Sequence, residues 1–234
     1  MIGMINTTYK VLVLGSGLIG SEVATVSSGL GYENLSVDLN IGNHNIDLTK
    51  SDSLMELLSD FKPNVIFNTA GIDQKLHEPT KELHEMPEEE WEYIFTNNTR
   101  ITINVAKQVL KYFVNSDLNV KKLIYTPSTY SFTSPNPNFY DTDFVKSFAY
   151  VGSKTIEVDL VKYIAKHYSD RGILCNGLVP HLVLQEEKLM NKTFVPLGRS
   201  CTPKELHPAI KLLIDENNTF MTGEFIKVNG GWLS

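Results

Sequence analysis

The first residues that could do chemistry form a glycine-rich turn near the start of the chain. Gly15, Gly17 and Gly20 follow an apolar run at 10–14, and the complete motif is Gly15, Ser16, Gly17, Leu18, Ile19 and Gly20. Glycines at this spacing permit a tight turn, let the backbone approach a pyrophosphate, and let the following helix pack closely on the strand. The N–H groups that begin such a helix favour phosphate. The motif therefore predicts a dinucleotide site, with a simple tight turn as the alternative.

A carboxylate follows the second apolar run at the spacing that such a site needs. Asp38 ends the run 34–38 and stands 18 residues beyond Gly20. There a carboxylate can accept hydrogen bonds from both hydroxyls of an adenosine ribose, and it would repel a 2′-phosphate. Because no Arg or Lys lies in the glycine turn or directly after Asp38, the sequence favours NAD over NADP. The alternative is that Asp38 only caps a loop.

A tyrosine and a lysine supply the second candidate chemistry. Tyr150 and Lys154 stand four residues apart in a predicted helix, so their side chains share one helix face. A neighbouring ammonium favours the phenolate form, which a tyrosine needs in order to act as a general base near neutral pH. No other tyrosine of the chain has a lysine four residues later. The pair therefore predicts proton transfer by Tyr150.

The elements that must position these residues follow from the hydrophobic pattern. Short β-branched runs alternate with longer amphipathic stretches, which is typical of βαβ units around a parallel sheet. Strands are expected at 10–14, 34–38, 64–67, 121–126, 173–179 and 224–228, and helices at 18–29, 50–60, 87–114, 143–168 and 203–214. The prediction is one α/β domain over residues 1–234. Its doubly wound, mostly parallel sheet has about seven strands and helices on both faces.

Two segments that connect the predicted elements lie where they could border the candidate site. Residues 131–142 are rich in Pro, Asn and Ser, so they are expected to form a loop. This loop lies between a strand and a helix, at the carboxyl end of the sheet, where open α/β folds bind ligands. Only eight residues separate Asp38 from Asp47. That is too few for a crossover helix, so a loop or a minimal turn is predicted there.

The order of these motifs resembles the short-chain dehydrogenase/reductase family, whose fold is a Rossmann fold. The resemblance covers essentially the whole chain and includes the glycine turn, the segment Asn68-Thr69-Ala70-Gly71 and the pair Tyr150 and Lys154. The remaining matches are Asp38, Asp47, Leu48, Trp91, Asn98, Ser128, Pro196-Leu197-Gly198-Arg199, Thr222-Gly223 and Asn229-Gly230-Gly231-Trp232.

The resemblance implies a role for each matching residue. In that family the Ser steadies the substrate oxygen, the Tyr transfers the proton, the Lys holds the nicotinamide ribose and lowers the pKa of the Tyr, and the Asn positions a relay water. These roles fall here to Ser128, Tyr150, Lys154 and Asn98 respectively. The implied cofactor contacts are Gly15, Ser16, Gly17, Leu18, Ile19, Gly20, Asp38, Asp47, Leu48, Asn68, Ala70, Gly71, Tyr150, Lys154, Pro180 and Val183.

The chain departs from the family pattern in three places. The glycine turn is one residue shorter than usual, which leaves the pose of the pyrophosphate open. His181 stands where a Gly normally follows Pro180, so the contact with the cofactor carboxamide is also open. Ser128 and Tyr150 are 22 residues apart, a longer separation than is usual. Residues 131–142 are therefore interpreted as an inserted active-site loop, similar to that of a subgroup associated with bacterial surface-sugar and flagellin-glycan pathways.

The composition and local sequence patterns argue against several classes of binding partner. The formal charge is −6 without a basic block, so neither nucleic acid nor an anionic membrane is expected to bind. Residues 1–9 lack a signal-peptide pattern and two cysteines cannot form a disulfide framework, so a cytoplasmic location is expected. His77 and His84 have no third ligand at metal spacing, and no metal site is predicted. The long helix at 87–114 and the resemblance together predict a homodimer or homotetramer.

These features predict an NAD-dependent oxidoreductase that transfers a hydride between the nicotinamide and a secondary alcohol or ketone. The polar loop 131–142 favours a polar or sugar-like small-molecule substrate. Two alternatives are a nucleotide-sugar epimerase or dehydratase with the same Tyr and Lys chemistry, and a dinucleotide-sensing protein without catalysis. The chain after Pro180 is short for the substrate domain of the first alternative. Proteins of the second kind typically lose the Tyr or the Lys, and both are present here.

Overall fold

A single parallel sheet forms the centre of the molecule. The computed structural model describes residues 9–39, 45–73, 82–140 and 144–234. Within these residues, six strands pair in the order β2-β1-β3-β4-β5-β6. They are β1 (Lys10–Leu14), β2 (Glu33–Val37), β3 (Val65–Asn68), β4 (Lys121–Tyr125), β5 (Ile173–Pro180) and β6 (Phe225–Val228). The strand order reverses between β1 and β3, and open α/β sheets bind ligands at the carboxyl ends of the strands at such a point.

Helices cover both faces of the sheet. The α-helices of the described residues are α1 (Leu18–Gly29), α2 (Met55–Phe61), α3 (Glu88–Glu90), α4 (Asn97–Val114), α5 (Phe148–Tyr168) and α6 (His207–Ile214). Leu12 and Leu14 of β1 pack with side chains of α2, α4 and α5, whereas Val11 and Val13 pack with those of α1 and α6. All four residues are fully buried, which explains why the strand is an unbroken apolar run. The predicted class, a doubly wound α/β sheet, is confirmed.

The loop or minimal turn predicted after β2 lies mostly outside the described residues. Asp38 and Asn45 form an isolated parallel bridge, and residues 40–44 lie outside the described part of the chain. The described residues hold six strands. The expectation from the fold class was about seven. No room for a crossover helix exists between Asp38 and Asp47. This arrangement leaves Asp38 directly after β2, next to the glycine turn.

Two helices begin later than the sequence pattern indicates. The helix expected at 50–60 begins at Met55, because Asp52 has a φ of 64°, which is incompatible with a right-handed helix. The N–H of Leu54 instead donates to Oε1 of Gln108 at 2.6 Å. The helix expected from residue 143 begins at Phe148, and residue 143 itself lies outside the described residues. The helix expected at 203–214 begins with a 3-10 turn, Pro203–Leu206, and α6 follows from His207. The strands and α1 are observed with shifts of at most one residue at their ends.

The helix expected over 87–114 contains a π-helical segment. This segment, Trp91–Thr96, joins α3 to α4. Its Trp91 and Phe95 rings stack with centroids 4.1 Å apart. A Cβ atom on Gly152 of α5 would lie 3.3 Å from the Phe95 ring, so the glycine allows the π segment to approach α5 closely. Gly152 is two residues from both Tyr150 and Lys154, so this contact lies on the side of α5 away from the face that carries the candidate chemistry. Such π segments often occur at functional sites.

Candidate active site

The glycine turn adopts a backbone that side chains would block. Gly15 has a φ of 91°, and a Cβ atom there would lie 2.8 Å from the N of Ala70. A Cβ atom on Gly20 would lie 1.8 Å from the carbonyl oxygen of Gly15. Gly17, the N-cap of α1, has open space where its side chain would be. The first and third glycines therefore let the turn pack closely, with the first against the segment that follows β3, and the second leaves the backbone open for a ligand.

A cavity of about 490 Å³ lies beside this turn. Seven of the expected cofactor residues line it: Gly15, Gly17, Asp38, Asp47, Leu48, Ala70 and Gly71. Its wall also includes Tyr93 of the π segment and Asn97 and Ile101 of α4, which were not found from the sequence. The polar turn, the carboxylates and the open backbone at Gly17 fit the pyrophosphate and ribose groups of a dinucleotide.

The two carboxylates of this cavity are held differently. Oδ2 of Asp38 accepts a hydrogen bond from the backbone N of Ser16 at 2.7 Å, which ties the end of β2 to the glycine turn. Oδ1 of Asp47 accepts from the hydroxyl of Thr49 at 2.6 Å and from its backbone N at 2.9 Å. These bonds lower the pKa of Asp47, the Thr49 side chain having the larger effect. Both carboxylates are partly exposed, and Asp38 is the one placed against the glycine turn.

The other expected cofactor residues occupy supporting positions. Leu18 and Ile19 form the first turn of α1. Oδ1 of Asn68 accepts from the N of Ala70 at 3.2 Å, which shapes the turn after β3. Pro180 ends β5, and Val183 forms a parallel bridge with Cys201. The assignment of these residues to the cofactor stays a prediction.

Tyr150 lies at the carboxyl end of the sheet in the first turn of α5. Ser128, which caps the turn after β4, lies close enough to its phenol to affect the pKa of Tyr150. Burial raises the pKa of Tyr150 well above its usual value, and the Asp73 and Glu157 carboxylates add to this effect. The Ser128 side chain acts in the opposite direction. In the protein without cofactor the phenol is therefore protonated at neutral pH, and it lies near the serine expected to orient a substrate oxygen.

Lys154 is buried one helical turn further along α5. Its Nζ donates to the carbonyl oxygen of Thr126 at 3.0 Å and to Oε1 of Glu157 at 2.7 Å. A Cβ atom on Gly71 would lie 3.4 Å from this Nζ and 3.6 Å from Oδ1 of Asn98. Lys154 and Asn98 therefore both border Gly71, where the cavity of the glycine turn meets α5. The structure brings the four expected catalytic residues to this one region.

A second lysine lies over the tyrosine. Nζ of Lys146 is 4.1 Å from the centroid of the Tyr150 ring and 2.5 Å from Oδ1 of Asp73. The Lys146 side chain is 7% exposed, whereas that of Asp73 is 57% exposed. The sequence does show Lys146 four residues before Tyr150, the same interval that separates Tyr150 from Lys154. Asp73 follows β3 and has no such signal, because only the fold brings it next to α5.

Several aromatic side chains cluster near Tyr150. The hydroxyls of Tyr130 and Tyr140 are 2.7 Å apart, and Phe139 from the loop 131–142 packs on Trp232 with centroids 4.7 Å apart. His181 stacks on Trp232 at 4.1 Å, and its Nδ1 lies 3.0 Å from the Thr129 hydroxyl. Burial lowers the pKa of His181 to about 4, so the imidazole is neutral. The part of the loop described here is thus anchored by aromatic contacts, while residues 141 and 142 lie outside it.

The described residues show neither a metal-binding cluster nor a membrane-spanning helix. Over residues 9–39, 45–73, 82–140 and 144–234, no three His, Cys, Asp or Glu side chains are grouped so as to hold a metal ion. His84 is within this range and His77 is outside it. In the same ranges, every helix is too short or too polar to cross a membrane.

The chain matches a family model over most of its length. Residues 44–233 match the model described as Enoyl-(Acyl carrier protein) reductase. A 3-oxoacyl-[acyl-carrier-protein] reductase of Thermotoga maritima is 25% identical over 240 residues, which cover 92% of this chain and 89% of the relative. A 3beta-hydroxysteroid dehydrogenase of Eggerthella lenta is 26% identical over 181 residues, which cover 72% of this chain and 64% of the relative.

Solved structures share the fold. A short chain dehydrogenase from Leptospira borgpetersenii with bound NAD+ superposes with a TM-score of 0.82 at 18% identity, covering 100% of this chain and 97% of the other. A 3-oxoacyl-[acyl-carrier protein] reductase from Brucella melitensis with bound NAD gives 0.79 at 19% identity, covering 98% and 93%. ElxO with NADP bound gives 0.80 at 20% identity, covering 96% and 98%. At these identities the likeness concerns the fold.

Proposed function

This chain belongs to the short-chain dehydrogenase/reductase family, and on that premise we propose that it transfers a hydride between NAD and a secondary alcohol or ketone. The family is one of oxidoreductases that use nicotinamide cofactors. The observation that carries the proposal is the arrangement around the start of α5: Ser128 lies near the Tyr150 phenol, and Lys154 borders Gly71 in the adjoining cofactor cavity.

In this reaction side chains of the protein transfer the proton, and the hydride is carried by the cofactor. When bound, the nicotinamide accepts a hydride from an alcohol carbon or gives one to a carbonyl carbon. In oxidation the alcohol proton goes to the Tyr150 oxygen, and in reduction Tyr150 gives its proton to the carbonyl oxygen. The Ser128 hydroxyl orients that oxygen. Lys154 has a third N–H beyond the two that it donates to Thr126 and Glu157, and this one is available to the nicotinamide ribose.

The preference for NAD rests on Asp38. Its carboxylate lies against the glycine turn and lines the cavity, where a ribose 2′-hydroxyl could donate to it. A 2′-phosphate would put a second anion at the same place, and like charges at close range are destabilising. The described residues that line this cavity include no Arg or Lys that could offset the repulsion.

The substrate is proposed to be polar and rich in hydroxyl groups. Around Tyr150 stand the Tyr130 and Tyr140 hydroxyls, the half-exposed Asp73 carboxylate and the Lys146 ammonium. These groups provide donors and acceptors for several substrate hydroxyls.

The chain is also proposed to form a homodimer or homotetramer. Ile103 and Val114 of α4 and Tyr163 of α5 are large apolar side chains with 40%, 42% and 54% of their surface exposed. They lie on the helices through which the family resemblance implies pairing. Light scattering at micromolar protein tests this, and a species of only 26.3 kDa would contradict it.

The experiment that tests the activity is a substrate screen that follows NADH absorbance. Polyols, keto-sugars and steroids are compared with a 3-oxoacyl thioester, because a relative is described as a 3-oxoacyl-[acyl-carrier-protein] reductase. The proposal expects turnover with a polyol or keto-sugar, and expects Tyr150→Phe to lose it while NAD binding is kept. NAD binding without turnover of any compound would favour a dinucleotide-sensing protein instead.

A further inference from the structure

The lysine next to the proposed proton donor has a buried acidic partner. Oε1 of Glu157 accepts from Nζ of Lys154 at 2.7 Å, and the two side chains are 2% and 8% exposed. The residues stand three apart on α5, so the same helix fixes both. Burial raises the pKa of Glu157, whereas Lys154 and the Thr102 hydroxyl lower it. The described residues thus place an acidic group, shielded from water, against the ammonium expected to activate Tyr150.

A carboxylate at hydrogen-bond distance offsets the positive charge that an ammonium presents to its other neighbours. Charges interact more strongly in a buried site than in water, because the surroundings screen them less. We propose that Glu157 is a positioning residue: it fixes Lys154 and offsets its charge, so that Tyr150 stays protonated at neutral pH and donates its proton to a carbonyl oxygen. The chain is then suited to reduce a ketone at neutral pH, and oxidation of the alcohol requires alkaline solution. This inference rests on the proposed function, since a proton donor matters only in catalysis.

Other charged groups also face Tyr150. Asp73 opposes ionisation of the phenol, and Lys146 lies over the ring and pairs with Asp73. Tyr130 and Tyr140 contribute neighbouring phenols. Glu157 itself faces Lys154 on its own helix, Thr102 on α4 and Tyr125 on β4. The Asp73 side chain is 57% exposed, so water screens its charge, whereas that of Glu157 is 2% exposed and is paired with the Lys154 whose charge it offsets.

The test reads Tyr150 directly and needs no substrate. The protein is labelled with carbon-13 at the tyrosine ring carbon that bears the hydroxyl, and the NAD+ complex is titrated by NMR. Tyr150→Phe identifies the signal. Glu157→Gln removes the charge but keeps an oxygen that can accept from Lys154. The matched control is Asp159→Asn, which removes an acidic group from the same helix whose pair with Lys162 has the same spacing but is exposed.

We expect the midpoint of the Tyr150 titration to fall by about one pH unit or more in Glu157→Gln, a tenfold change in the ionisation constant. It should not move in Asp159→Asn. Glu157→Asp withdraws the carboxylate from Lys154 and should give a smaller fall, and this variant decides the matter if Glu157→Gln does not fold. A Tyr150 signal that matches the wild-type signal at every pH, or that never titrates in the folded variants, overturns the proposal.

The NMR titration needs no turnover, so its outcome and that of the substrate screen can be told apart. A chain without turnover on any compound of the screen, but with the expected shift in Glu157→Gln, would refute the activity and keep the role of Glu157. A chain that reduces a ketone, with a Tyr150 midpoint unaffected by Glu157→Gln, would refute the role and keep the activity.

Discussion

Asn98 holds both main-chain groups of Ile72. Its Oδ1 accepts from the Ile72 N at 2.7 Å, and its Nδ2 donates to the Ile72 oxygen at 2.9 Å and to the Ser153 hydroxyl at 3.0 Å. Asn98 is only 2% exposed, and Ile72 is partly buried. The amide therefore links the segment after Gly71 to both α4 and α5. The position of a relay water, the role that the resemblance gives to Asn98, stays a prediction beside this observed role.

Asn98→Ala is expected to lower both stability and NAD affinity. It leaves the partly buried N–H and C=O of Ile72 without their side-chain partner, and since water can reach them in part, the cost lies toward the lower end of the about 1–3 kcal/mol of an orphaned buried group. Gly71 lines the cofactor cavity, so a looser segment there weakens NAD binding. Thermal unfolding and calorimetry with NAD measure the two effects. Asn98→Asp should be intermediate, because it accepts from Ile72 N but cannot donate to Ile72 O. An unchanged melting temperature in Asn98→Ala would contradict the expectation.

Asp38 is expected to determine the choice of cofactor. The wild type should bind NAD more tightly than NADP, and Asp38→Asn should move the ratio of the two dissociation constants toward NADP by about tenfold or more, or about 1.4 kcal/mol. The asparagine keeps an oxygen that can accept from Ser16 N but removes the charge. Calorimetric titration with both nucleotides measures the ratio. Asp47→Asn is the matched control, because Asp47 lines the same cavity and is held by Thr49. Equal affinities for both nucleotides in the wild type would overturn the assignment.

The sequence predicts those parts of the site whose residues lie close together along the chain. Tyr150 and Lys154 are found from their helical spacing, and Glu157 could have been found in the same way, since charges three residues apart on a helix are neighbours. Asp73 could not, because it reaches Tyr150 only when β3 and α5 pack together. The late start of α2 could not be predicted from the sequence either, because an aspartate alone does not indicate the left-handed backbone that Asp52 adopts.

Tyr150→Phe is expected to abolish most turnover and leave the fold intact. The change removes one oxygen and little volume, and loss of a general acid or base lowers kcat by about 10²–10⁴. Melting temperature and NAD affinity should change little. Tyr130→Phe is the matched control, since its hydroxyl pairs with Tyr140 and lacks a lysine four residues later. Steady-state kinetics on a substrate from the screen compare the two. Loss of turnover in Tyr130→Phe with near-normal turnover in Tyr150→Phe would assign the proton to the other tyrosine.

Lys154→Met is expected to weaken NAD binding, turnover and stability together. It removes the proposed contact with the ribose and leaves the buried Glu157 carboxylate without its partner. An unpaired buried charge is destabilising by about 3–5 kcal/mol unless the group takes up a proton. In the double variant Lys154→Met, Glu157→Leu the unpaired carboxylate is absent. The melting temperature should therefore rise part of the way back to that of the wild type, whereas the activity should not return. Recovery of turnover along with stability would show that Lys154 has no role beyond the ion pair.

His181 is expected to make the protein less stable as the solution becomes acidic. Burial lowers its pKa in the folded state to about 4, below the value of about 6.5 in an unfolded chain. Between these values the unfolded chain binds a proton that the folded protein does not, so the free energy of unfolding falls as the pH falls from about 6.5 to 4. The full loss is about 3 kcal/mol.

Urea unfolding of the wild type and His181→Phe across this range measures the difference, and the phenyl ring can keep the stacking on Trp232. Thr129→Val removes the same hydrogen bond but keeps the imidazole, so it should retain the pH dependence that His181→Phe loses. Parallel curves for the wild type and His181→Phe would show that this histidine is not the source.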